Sequence, residues 1–141
     1  MNRQELEALV RQLLTEKLDN PVKFFSPEVQ ITERDRLSTG NPADRVYTHD
    51  LFSLSQSPRL GVGVMVMDKS DFAWHLDYDE VDFVLDGVLT IRKGKGEVTA
   101  HKGEGIFIPK GTDIFFSAPD HARFLYVTYP ADWQKSPETS F

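Results

Sequence analysis

The chain contains no cysteine. That excludes a disulfide framework, a thiolate nucleophile and any zinc site built on Cys. No apolar run approaches the roughly 18 residues that a membrane span needs. Positive charge is short: 16 Lys and Arg stand against 22 Asp and Glu, for a net charge of −6. Nucleic acid and anionic lipid both call for a basic face, so neither is an expected partner. Of the four histidines, His49, His101 and His121 have no ligand spacing. No Gly-rich loop reads as a phosphate cradle, and no Ser or Thr sits in a nucleophile elbow. The charged N-terminus does not read as a secretory signal.

What is present suits one ordinary domain. At 141 residues, the chain can bury about two thirds of its unfolded surface without staples. Leu6, Leu9, Val10, Leu13, Leu14 and Leu18 fall on one stripe of a 3.6-period helix. Asn2 can cap its start, with Glu5 three residues on. Asn20-Pro21 ends it, because proline disfavours the α region for the residue before it. The spacing thus predicts a short amphipathic α-helix over 1–20, a linker over 21–27, an all-β domain over 28–133 and a flexible tail over 134–141.

Within the β domain, strands are expected at Arg45 to Leu54, Leu60 to Asp68, Tyr78 to Leu85 and Val88 to Arg92. Further strands follow at Glu97 to His101, Gly105 to Ile108, Ile114 to Ser117 and Arg123 to Tyr129. Asp86-Gly87 reads as a hairpin turn and Gly94-Lys95-Gly96 as a second. Short strands at regular spacing indicate an antiparallel sandwich or barrel.

Two segments resemble the motifs of the cupins, the double-stranded β-helix or jelly-roll barrels. Glu80 followed after six residues by Gly87 matches the end of the first motif, and Gly103, Pro109 and Gly111 match the second. The histidines of that family's metal site are mostly missing. Their positions fall on Trp74 and Leu76, or on Ala73 and His75, and then on Ile114. No histidine-bound transition metal is expected, since imidazole sites need more ligands than this. His75 reads as a surface or loop residue.

An acidic and aromatic run, Phe72 to Asp82, occupies that region instead. Alternation puts Tyr78, Glu80, Asp82 and Val84 on one face. Inside a barrel, two carboxylates about 7 Å apart along a strand would repel, raise one pKa, or hold a hard cation. The alternative is a solvated strand edge. Trp74 is either core or a pocket wall. Lys110, in Pro-Lys-Gly, either meets an anion or is a turn residue. Val81, Phe83 and Leu85, on the opposite face, offer a surface through which a homodimer is expected.

The combination of Trp74, Tyr78 to Asp82, Val84 to Gly87, Ile108 to Gly111, Arg123 to Val127 and Tyr129 to Trp133 resembles the EutQ-type ethanolamine-utilisation family. The resemblance covers most of residues 60–133. It implies a cupin without the histidine site, in the bacterial cytoplasm and specifically the lumen of a microcompartment. It also implies an acetate kinase-like transfer of phosphoryl between ATP and acetate, with Mg²⁺. On that reading Glu80, Asp82 and Tyr78 are the candidate catalytic residues. Glu80 and Asp82 are the metal ligands, for a hard cation only, and Trp74 and Lys110 are the substrate contacts. Residues 2–18 are similar to the encapsulation peptides of microcompartment cargo, which implies a shell protein as partner; packing on its own barrel or on a dimer mate is the alternative. Two other functions stay open: a non-catalytic adaptor linking cargo to shell, and a small-molecule-binding cupin or metal-free isomerase.

Overall fold

Six strands carry the domain: β1 (Arg45–Asp50), β2 (Gly61–Leu76), β3 (Asp79–Lys93), β4 (Gly96–His101), β5 (Gly105–Ile108) and β6 (Thr112–Tyr129). The computed structural model describes residues 2–7, 18–24 and 28–133. Every pairing is antiparallel, in one sheet of order β1-β2-β6-β3-β4. The far edge of β3 is shared. Glu80–Phe83 pair with β5, and Val88–Lys93 pair with β4. The sheet thereby wraps around a single core that includes Met67, Leu76, Val84, Leu89, Phe116 and Phe124, all but inaccessible to solvent.

The three long strands correct the sequence reading. β2 runs on past Asp68 to Leu76, and β6 joins the two strands expected on either side of Pro119. Pro119 survives inside β6 because its neighbours do not ask it for a hydrogen bond. On one side, β2 shifts register between Asp68 and Ser70, pairing these with His121 and Ala118. On the other, β3 shifts between Gly87 and Thr90, pairing these with Ala122 and Ser117. A residue without an N–H belongs at such an irregularity.

Asp86-Gly87 is likewise not a hairpin but an interior point of β3. Gly87 has φ +77°, and a Cβ built on it would run into the carbonyl oxygen of His121. The glycine serves a close strand approach, not chain reversal. The reversal expected at Gly94-Lys95-Gly96 does occur, with Lys93 opposite Gly96.

At the N-terminus, residues 3–7 are helical. Asn2 Oδ1 accepts from the Glu5 amide at 2.8 Å, and the Asn2 amide donates to Glu5 Oε2 at 3.2 Å. This is the reciprocal cap the spacing predicts. The remainder of the expected helix over 8–17 and the expected tail over 134–141 lie outside the described residues. No described helix is long and apolar enough to cross a membrane.

Candidate functional site

Alternation along β3 decides the orientation of the acidic run. Asp79, Val81 and Phe83 face outward, while Tyr78, Glu80, Asp82 and Val84 are buried. Glu80 is 4% exposed and Asp82 fully enclosed, so the carboxylates are on the inner face and not a solvated edge. Glu80 opens onto a cavity of about 520 Å³. β6 contributes Phe116, Tyr126 and Thr128 to its wall, β2 contributes Phe72 and Trp74, and β1 contributes Asp50. The loop from Leu51 to Leu60 forms one side, and Trp133, just past β6, closes another.

The aromatic side chains hold one another in place. Trp74 Nε1 donates to the Tyr78 hydroxyl at 2.7 Å. The Tyr78 ring lies against Trp133 at 4.6 Å, and the two indoles meet edge to face at 6.2 Å. Across the cavity, the Tyr126 hydroxyl donates to Asp50 Oδ1 at 2.6 Å. Burial pushes the pKa of both phenols up, so each keeps its proton and remains a donor.

The carboxyl pair has fewer partners. Glu80 Oε2 and both Asp82 oxygens are buried with no other donor beside them among the described residues, so a proton on one carboxyl can be shared only with the other. Burial raises the pKa of Glu80, and burial followed by the adjacent Glu80 charge raises that of Asp82 well above the usual carboxylate range. Two carboxyls so placed cannot both ionise cheaply. They titrate as a unit and tend to retain a proton, which the fully enclosed Asp82 is the better placed to carry.

The other sequence candidates lie elsewhere. Lys110 is exposed in the turn after β5, where its amide donates to Asp79 Oδ1 at 2.8 Å. His75 is exposed between Asp113, at 2.7 Å, and Asp77, at 3.0 Å. The hydrogen bond to Asp113 chiefly raises its pKa. Ile114, standing where a metal-binding histidine would, is core. Arg92 pairs with Asp71 at 2.5 Å over the Phe115 ring, and Arg123 donates to the Val29 carbonyl. Among the described residues, no Lys, Arg or His lines the cavity, and no three His, Cys, Asp or Glu converge as a metal cluster.

Sequence reasoning missed four residues of this site. Tyr126 and Thr128 were within reach, because alternation from Phe124 turns both inward. Asp50 and Trp133 come from opposite ends of the domain, and only the folded sheet brings them to the cavity.

The chain matches the family described as ethanolamine utilisation protein EutQ over residues 20–135. It is 51% identical to the acetate kinase EutQ of Clostridioides difficile, over 91% of each chain. Against the acetate kinase EutQ of Salmonella typhimurium it is 42% identical over 60% of its own length, but over only 37% of that longer relative. The solved structure of the Clostridium difficile EutQ protein superposes with a TM-score of 0.76 at 58% identity, covering 78% of this chain and 80% of that one. The cupin domain of Schizosaccharomyces pombe Cnp3 superposes with a TM-score of 0.59 at 13% identity, covering 81% of this chain and 72% of that one. The fold is therefore a cupin.

Proposed function

The chain belongs to the EutQ family of ethanolamine-utilisation proteins, and from that premise we propose that it is an acetate kinase, transferring phosphoryl between ATP and acetate. The observation that carries this reading is the curated acetate kinase to which it is 51% identical across nine tenths of both chains. Phosphoryl transfer asks a protein for positioning and for countercharge on the phosphates. Since no cationic side chain among the described residues lines the cavity, the countercharge would come from a divalent cation.

The residues fit such an ion. Mg²⁺ is held through one or two carboxylates while phosphates and water complete its shell. Glu80, on the cavity wall, would be the direct ligand, with Asp82 enclosed beside it. A bound cation would neutralise charge on the phosphates. The protein's own part is to give up the proton retained by the pair, to exclude water with Trp74, Tyr78 and Trp133, and to donate from the Tyr78 hydroxyl. Glu80→Gln keeps the shape and removes the charge. A loss on the order of 3 kcal/mol of transition-state stabilisation, about a hundredfold in kcat/KM, is expected in a coupled ATP–acetate assay. Equal activity in variant and wild type would remove Glu80 from the mechanism.

The N-terminal segment supports a second role in a microcompartment, as cargo or as the adaptor linking cargo to shell. Leu6, the first residue of the apolar stripe, is 52% exposed beside its capped start. A helix this short is marginal alone and gains order by burying its stripe in a partner groove. Fused to a fluorescent protein in cells that form microcompartments, the wild type should give puncta, and Leu9→Asp or Leu13→Asp should disperse them. Uniform wild-type fluorescence rejects the idea.

A further inference from the structure

The same cavity has features that phosphoryl transfer does not require. Its ionisable wall is acidic only: Asp50 near the mouth and Glu80 deeper in, with Asp82 beneath. Glu80 Oε2 is buried, without a hydrogen-bond partner among the described residues, on a side chain that lines the cavity. A buried acceptor of this kind is destabilising until something donates to it. Two of the neighbouring donors are already directed elsewhere: Trp74 Nε1 to Tyr78, and the Tyr126 hydroxyl to Asp50. Beside the acids stand the rings of Trp74, Tyr78 and Trp133, groups of the kind that attract cations.

We infer that the cavity is a binding site for a small primary organic ammonium ion, whose N–H groups donate to Glu80 while its carbon chain lies along Trp74 and Trp133. Three features select this class. The acceptors without partners call for a donor, and a primary ammonium carries three N–H groups where a quaternary one carries none. The anionic wall calls for positive charge, which a neutral alcohol lacks. The aromatic surface and a volume of about 520 Å³ suit an ion with an organic body. Asp82 then acts as a positioning residue. It keeps the pair's proton and shares it with Glu80, which fixes the Glu80 carboxyl at the cavity wall. The site rests on the cavity's geometry and does not depend on the kinase reading.

Calorimetric titration of the full-length protein with ethanolamine hydrochloride at low salt tests the inference. Saturable one-to-one binding is expected, at least about tenfold weaker in Glu80→Gln, the loss of one charge-assisted bond. Two comparisons on the wild type do not depend on any variant folding. Ethylene glycol, the neutral isostere, should give no saturable heat. Tetramethylammonium chloride, charged but without a donor, should bind at least about tenfold more weakly. Absence of saturable binding at millimolar ethanolamine overturns the proposal, as does equal binding by ethylene glycol, by tetramethylammonium or by Glu80→Gln. Calorimetry and the kinase assay fail separately: ammonium binding without phosphoryl transfer removes only the kinase, and transfer without binding removes only this site.

Discussion

Gly87→Ala is expected to cost about 2–5 kcal/mol of folding free energy, although it adds a single methyl group. Two penalties combine at this position. A residue with a Cβ in the left-handed region costs about 1–2 kcal/mol, and Gly87 has φ +77°. The new Cβ would also overlap the His121 carbonyl oxygen and lie 2.8 Å from its carbon. Those are backbone atoms of β6 and cannot rotate away, so the strands must part, as in other overpacked sites at about 1–3 kcal/mol. Gly94→Ala separates the two penalties. Gly94 also has positive φ, at +57°, but a methyl group added there meets nothing within 4 Å. Only the backbone penalty remains, so about 1 kcal/mol is expected. Urea denaturation of both variants provides the measurement. Equal losses would mean that the approach of β3 to β6 is not the constraint.

Phe124→Ala is expected to cost about 3–5 kcal/mol, as for a fully enclosed aromatic side chain whose site cannot collapse. Phe124 is 0% exposed where β6 crosses the middle of the sheet, opposite Met65 on β2 and Val84 on β3. Its ring stacks on Phe116 at 6.2 Å, and Phe116 on Phe72 at 5.2 Å. Truncation there opens a void with β-structure on both sides. Phe115 lies on the same strand but faces outward, 45% exposed beneath Arg92. Its truncation should cost about 1 kcal/mol or less, the value of an exposed cation–π contact. Thermal unfolding followed by circular dichroism separates the two, and similar losses at both positions would contradict the inward and outward assignment along β6.

How much of this was legible in the sequence depended on the range of the interaction. Alternation is local, so Tyr78, Glu80, Asp82 and Val84 could be assigned to one face from the sequence, and the fold buries all four. Asp86-Gly87 misled for the converse reason. The pair carries a turn signal, but what fixes Gly87 is the His121 backbone on another strand, which no local pattern records. The break expected between Ser117 and Arg123 failed for a similar reason, since the register shifts that let β6 run through Pro119 lie in β2 and β3. At the site, the missing histidines could be read from motif spacing. The cavity's opposite wall could not, because Asp50 and Trp133 are more than eighty residues apart in the chain. Lys110 looked attractive as a conveniently placed cation, yet the turn that carries it points its backbone at Asp79 and leaves its side chain in solvent.

The placement of Trp74 and Trp133 has a practical consequence. The chain has two tryptophans, and both line the one cavity that holds Glu80. All of the indole emission of the protein therefore originates at that wall, and its colour and intensity report polarity there and nowhere else. With the indoles 6.2 Å apart at 79°, their transitions also couple, giving a near-ultraviolet dichroic signature of the pair. The native chain thus carries its own optical probe of occupancy, and no label need be introduced to follow what enters.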